Sequence, residues 1–259
     1  MNQSNVQALS GKAALITGAS RGIGAATARE LAEQGVSVAL AARTDNDVQA
    51  LAAEINKSGG KAIALVCDVT RYDDLVSAVA NTQSSFGNID ILVNNAGTID
   101  PIAHLADSDP EGWSQVVDIN LKGVYYGIRA VLPAMSKQGS GTIINISSGA
   151  ATNPIEAWSH YCATKAAVLS LTKCVHKEYA DQGIRCIGLS PGTVATDMQV
   201  SIKRSGINPV SRMDFSSHIP PEWPARAIAW LCNEESDDLL GTDFSIKTEE
   251  GRRRVGLIA

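Results

Sequence analysis

The chain has 259 residues, of which 44% are hydrophobic and 19% charged, and its formal net charge is −5. That composition excludes disordered and fibrous classes and leaves room for one large globular core. The acidic balance argues against nucleic-acid and anionic-membrane partners, and no apolar run reaches the ~18 residues of a membrane span.

The start, Met1-Asn2-Gln3-Ser4-Asn5, lacks the basic residues and apolar core of a secretion signal, which predicts a cytoplasmic protein. A strand is predicted over 12–17, running into Gly18-Ala19-Ser20-Arg21-Gly22-Ile23-Gly24, and a helix over 25–34 stops at Gly35. A glycine loop between strand and helix is the setting of a phosphate site. Glycines let pyrophosphate approach the backbone, and the helix start offers unpaired N–H groups. The spacing, Gly-x-x-x-Gly-x-Gly, departs from the general Gly-x-Gly-x-x-Gly fingerprint.

The alternation continues with strands over 36–41, 61–67 and 89–93 and helices over 47–58 and 72–86. The third strand ends at Asp68-Val69 and the fourth at Asn94-Asn95-Ala96-Gly97. A helix over 113–132 contains Asn120, and a fifth strand over 142–146 breaks into Ser147-Ser148-Gly149. The next helix carries Tyr161 and Lys165. Residues four apart share a helix face, so the ammonium sits near the phenol and is expected to lower its pKa from about 10. A phenol adjusted in that way exchanges protons near neutral pH.

A sixth strand over 185–190 ends in Pro191-Gly192-Thr193-Val194, after which periodicity dissolves over 197–221. An irregular segment of that length predicts a mobile substrate lid. A helix over 222–232 and a strand over 242–246 complete the pattern, and Arg252-Arg253-Arg254 reads as a solvated face or tail. The whole predicts a single domain over 1–259. Its class is α/β, a doubly wound (Rossmann-type) parallel sheet of about seven strands with helices on both faces. Ligands of such sheets bind beyond the carboxyl ends of the strands.

NAD-dependent doubly wound enzymes usually place an acid after the second strand; here that strand closes on Ala42-Arg43. With no carboxylate at Ala42, and with Arg21 in the glycine loop, NADP(H) is expected to be preferred over NAD(H). Asp45 opposes this if the turn folds it inward. Pro154, Ile155 and Trp158, with Met198, Met213 and Phe215, predict a partly apolar substrate pocket. Five scattered cysteines without Cys-x-x-Cys predict neither a disulfide framework nor zinc. His104, His160, His176 and His218 lack metal-ligand spacing, so no metal is expected and surface or satisfied structural positions are.

Taken together, Thr17-Gly18-x-x-x-Gly22-x-Gly24, Asn94-Asn95-Ala96-Gly97, Asn120, Ser148 and Tyr161-x-x-x-Lys165 resemble the short-chain dehydrogenase/reductases. The resemblance covers nearly the whole chain from Lys12 to Ile246. It implies an oxidoreductase moving a hydride between a nicotinamide cofactor and a carbonyl or secondary alcohol. It implies four catalytic residues: Tyr161 as acid–base, Ser148 holding the substrate oxygen, Lys165 lowering the phenol pKa and holding the nicotinamide ribose, and Asn120 helping to hold a water in a relay to the lysine. Cofactor contacts are implied at Gly18, Ser20, Arg21, Gly22, Ile23 and Gly24 of the loop, and at Arg43 after the second strand. Further contacts are implied at Asp68, Val69, Asn94, Ala96 and Gly97, at Tyr161 and Lys165, and at Pro191, Gly192, Val194 and Thr196 over the nicotinamide. A small-molecule substrate and a homo-oligomer, dimer or tetramer, follow from the same resemblance, although the ending past the last strand departs from the acidic-glycine pair of many relatives.

Two alternatives stay open. One is a 3-oxoacyl-[acyl-carrier-protein] reductase, weakened because those relatives tend to present basic residues beside the pocket whereas the turn before Gly183 reads Asp181-Gln182. The other is a non-catalytic cofactor-binding regulator, which has no need of Asn120, Ser148, Tyr161 and Lys165 together.

Overall fold

The computed structural model describes residues 9–259. Strands β1 (Ala13–Thr17), β2 (Ser37–Ala42), β3 (Lys61–Val66), β4 (Ile91–Asn94), β5 (Gly141–Ile146), β6 (Ile184–Ser190) and β7 (Asp243–Ser245) form one sheet. Its order is β3-β2-β1-β4-β5-β6-β7, and every pairing is parallel. β1 and β5 are buried along their whole length, as continuous apolar runs must be when helices cover both faces.

Strand alternation sorts the side chains into two cores. Ala14, Ile16, Val38, Leu40, Ile91 and Ile144 face α1 (Gly22–Glu33), α2 (Asp45–Lys57) and α8 (Glu222–Leu231). Leu15, Ala39, Leu92 and Ile143 face the opposite way, onto α3 (Tyr72–Phe86), α5 (Gly123–Gln138) and α6 (Ser159–Tyr179). Each large aliphatic side chain buried in this way contributes roughly 1.5–3 kcal/mol. The chain reverses direction across the sheet between β1 and β4, which opens a crevice at their carboxyl ends.

Three segments differ from the sequence expectation. The helix expected over 113–132 is longer and interrupted. It begins as α4 (Pro110–Val117), with Asp109 accepting from Gly112 N at 2.8 Å, widens into a π turn (Asp118–Lys122) and continues as α5. The stretch 197–221 is not irregular throughout: α7 spans Asp197–Ser205, and short 3-10 turns follow at Pro209–Arg212 and Phe215–Ser217. Met198 and Ile202, one turn apart, give α7 an inward side, and Gly206 ends it at φ 66°. The basic run is a helix face rather than a tail, with Arg253 and Arg254 exposed and Arg252 half-buried. It lies in α9 (Glu249–Arg254), with Arg252 stacked 5.2 Å over Trp223 and Arg254 5.3 Å over Trp230 and paired with Asp238.

Candidate active site

The first wall of the crevice is the loop between β1 and α1. Gly18 adopts φ +63°, and a Cβ there would lie 2.8 Å from Ala96 Cα. At Gly24 a Cβ would lie 2.3 Å from the Gly18 carbonyl oxygen, so this glycine sits behind the loop and permits its fold rather than facing the cleft. Thr17 Oγ1 accepts from Asn95 N and Ala96 N at 3.1 and 3.2 Å, while Asn95 Nδ2 donates to the carbonyls of Thr17 and Gly18 at 2.9 and 3.0 Å. The segment after β4 thus clamps the glycine loop from beneath. A loop held open by missing Cβ atoms at a helix start fits a dinucleotide pyrophosphate.

The structure corrects the expectation for Asn94. Its side chain lies in the core, donating to Asn145 Oδ1 at 2.9 Å, and it does not line the cleft. As the last residue of β4 it follows the strand's alternation inward, whereas Asn95, just beyond, is free to turn to the loop. Asn95 is not among the residues named from the motif, and the partners that reveal its part, Thr17 and Gly18, lie 78 and 77 residues away.

Ser20, Arg21, Gly22, Ile23, Arg43, Asp68, Val69, Ala96 and Gly97 all border one cleft of about 1230 Å³. Asp68 Oδ1 accepts from the Thr70 N–H and hydroxyl at 3.0 and 2.8 Å, which fixes the turn after β3. Arg43 is exposed at the rim, while Arg21 pairs with Asp197 at 3.2 Å across the cleft mouth, both largely in solvent. Asp45 opens α2 away from the cleft; the acid at this rim is Asp47. On the far side Pro191, Gly192, Val194 and Thr196 line the cleft in a loop held by Ala195 N to Ile219 O at 2.9 Å and Ile219 N to Thr193 O at 3.1 Å.

Ser148, Tyr161 and Lys165 meet on the cleft floor. Lys165 is buried; its Nζ donates to the Ile146 carbonyl at 2.6 Å and lies 5.5 Å from the centre of the Tyr161 ring. Burial here reverses the sign expected from the four-residue spacing. Desolvation pushes the Tyr161 phenol up to about 12, against a hydrogen bond with Ser148 that lowers it. Desolvation likewise brings Lys165 down to about 8, opposed by the charge of Asp243.

Asn120 stands in the π turn, fully buried and outside the cleft lining. Its amide brackets Thr98, accepting from Thr98 N and donating to Thr98 O, both at 2.8 Å. The amide is thus committed to the backbone that follows Gly97. Pro154, Ile155, Trp158, Met198 and Met213 line the apolar end of the cleft; Phe215 does not and stays exposed. Trp158 meets the Tyr161 ring edge-on at 5.7 Å.

The family model for short chain dehydrogenase matches residues 12–206 of this chain. The chain belongs to the short-chain dehydrogenase/reductase family. It is an NAD(P)-dependent oxidoreductase of the alcohol–carbonyl type. A 3-oxoacyl-[acyl-carrier-protein] reductase of Synechocystis sp. is 40% identical, covering 92% of this chain and 96% of its own. Cyclohexanol dehydrogenase of Acinetobacter sp. is 34% identical over 91% of this chain and 93% of its own. A short-chain type dehydrogenase/reductase of Mycobacterium marinum, known from a crystal structure, superposes with TM-score 0.83 at 36% identity, covering 92% and 94% of the two chains.

Of the residues named from motifs, those of the glycine loop, the later strand ends and α6 border one cleft, whereas Gly24, Asn94 and Asn120 stand behind it. Two others carry no motif signal. His160 Nδ1 accepts from the Tyr161 N–H at 2.7 Å and its Nε2 lies 2.6 Å from the Pro101 carbonyl, a geometry that fixes the Nε2–H tautomer and ties the start of α6 to the loop after β4. Asp243 of β7 is the other. Among the described residues no group of three or more histidine, cysteine or acidic side chains could hold a metal, and no helix is long and apolar enough to cross a membrane.

Proposed function

We propose that this short-chain dehydrogenase interconverts a ketone and a secondary alcohol with NADP(H), and that Tyr161 is its acid–base. The observation that carries the reading is the convergence of Ser148, Tyr161 and Lys165 on the cleft floor, beside the glycine-walled recess suited to a dinucleotide. The bound nicotinamide supplies or takes the hydride. A phenol pushed up to about 12 keeps its proton throughout the neutral range, so Tyr161 is ready to protonate a carbonyl oxygen during reduction. Ser148 holds that oxygen by hydrogen bond. Lys165, brought down to about 8, is still mainly an ammonium at pH 7 and stabilises the phenolate as it forms. The same ammonium would hold the ribose of a bound nicotinamide, and Val194 and Thr196, which line the cleft, would hold its carboxamide.

Replacing Tyr161 with Phe keeps the ring and its contact with Trp158 and removes the transferable proton. Turnover is expected to fall by at least ~10²–10⁴ with cofactor affinity nearly unchanged. Full activity in Tyr161→Phe would sink the assignment.

A second reading, reduction of a 3-oxoacyl thioester on a carrier protein, is favoured by the 40% identity to the Synechocystis sp. reductase. Asp181 and Gln182 form a turn ahead of β6, at the edge of the sheet opposite the cleft, and say nothing about the pocket mouth. Reduction of a carrier-bound acetoacetyl thioester compared with cyclohexanone separates the two readings. The apolar end formed by Ile155, Trp158 and Met198 supports the free ketone.

A further inference from the structure

A polar rung crosses the sheet immediately below the cleft. Asn94, Asn145, Gly188 and Asp243 are successive partners across β4, β5, β6 and β7. Their side chains face α6, where Asn145 Nδ2 donates to Thr172 Oγ1 at 2.9 Å. β7 is an edge strand, so a carboxylate on it ordinarily has solvent available. The Asp243 side chain instead reaches inward over β6. Gly188 leaves the space: a Cβ there would lie 2.8 Å from Asp243 Oδ1. Two hydroxyls further along the same face receive it, Ser190 and Ser147 donating to Oδ2 at 2.7 and 3.2 Å. Oδ1 is inaccessible and has no partner among the described residues. Burial raises the pKa of this carboxyl; the hydroxyls of Ser190 and Ser147 and the charge of Lys165 act against that rise and favour the carboxylate.

That charge is one peptide group away. Lys165 Nζ donates to the Ile146 carbonyl, and the next residue, Ser147, donates to Asp243. We propose that Asp243 is a positioning residue of the active site, its carboxylate drawn over Gly188 to serve as the counter-charge of the Lys165 ammonium. It touches neither substrate nor cofactor in this role. It acts through Lys165, favouring the charged form that the reading of Tyr161 above relies on. The titratable groups on the faces packed here are Tyr161 on α6, Cys186 on β6 and Asp243 on β7; Cys162 turns to the backbone of Ile155, and Asp118 and Lys122 of the π turn pair with each other at the surface. Of these, Asp243 is the one that raises the lysine against its burial.

The test reads the lysine directly in the free protein. Protein labelled with 13C at lysine Cε is titrated by NMR, the Lys165 resonance being assigned by its loss in Lys165→Met. Asp243→Asn keeps the shape and an oxygen to accept from Ser147 and Ser190, and removes the charge. The Lys165 midpoint is expected to fall by about one pH unit, the lower end of what an adjacent opposite charge supplies. Gly188→Ala is the second variant: its methyl displaces the carboxylate without deleting a polar group, and the midpoint should move in the same direction. An unmoved midpoint in either variant that folds overturns the proposal, because a purely structural Asp243 leaves the lysine titration where it was. Since no turnover is measured, Tyr161→Phe can fail or succeed independently of this result.

Discussion

The proposed preference for NADP(H) rests on one position at a strand end, Arg43. β2 closes on buried Ala42, and Arg43 follows at the rim of the cleft, exposed and with no ion pair among the described residues. Arg21 lies across the mouth but is engaged by Asp197, so Arg43 is the freer guanidinium for a ribose 2′-phosphate. Asp47 lines the same rim and opposes it. Charge-assisted hydrogen bonds to such a group amount to about 1.5–3 kcal/mol, or roughly ten- to a hundredfold in a rate ratio. The wild type is expected to show the higher kcat/KM with NADPH, and Arg43→Asp to lose that preference by a factor in this range. A wild-type preference for NADH would show that Asp47 governs the rim instead.

At the scale of elements, α7 is the part of the cleft with the least behind it. It contributes Met198, Gln199, Ser201 and Ile202 to the cleft wall, while Val200 is 47% exposed on its other side. The turns that follow, through Phe215–Ser217, are short 3-10 pieces with few long-range hydrogen bonds. Its first residue, Asp197, holds Arg21 of the glycine loop, so cofactor and substrate both bear on the same helix start. We predict that amide exchange over 197–221 slows when NADPH and a ketone product or substrate are added together. Equal exchange with and without ligands would mean a fixed wall rather than a lid.

At the scale of the molecule, the buried lysine links the site to global stability. Lys165 falls from 10.5 in the unfolded chain to about 8 in the folded one. Below pH 8 both states hold its proton and the folded state bears the full desolvation penalty. Between pH 8 and 10.5 the folded state releases the proton first, so this penalty is relieved as pH rises. The difference in urea midpoint, wild type minus Lys165→Met, should therefore increase from pH 7 to pH 9.5. A difference that shrinks over that range would mean the ammonium is stabilised in the fold, not penalised. Tyr161 acts in the opposite sense and at higher pH, because its raised value withholds deprotonation only in the folded state.

The sequence by itself determined the alternation of strands and helices, the strand ends at which Gly18, Asp68, Ser148 and Val194 stand, and the four-residue spacing of Tyr161 and Lys165. These are local facts, carried by periodicity, by glycine and by short motifs, and each survives folding unchanged. Only the tertiary structure decided what depends on neighbours distant in the chain. Asn94 turned into the core and left Asn95 to hold the loop, because the partner of each lies 51 or 77 residues away along the chain. Arg252 and Arg254 became packing groups because α8 sets Trp223 and Trp230 beneath them. The shifts of Tyr161 and Lys165 took their sign from burial, which no spacing in one helix can state. Asp243 reads in sequence as one more polar residue in an edge strand; parallel register with Gly188 is what places its carboxyl group on the face toward α6.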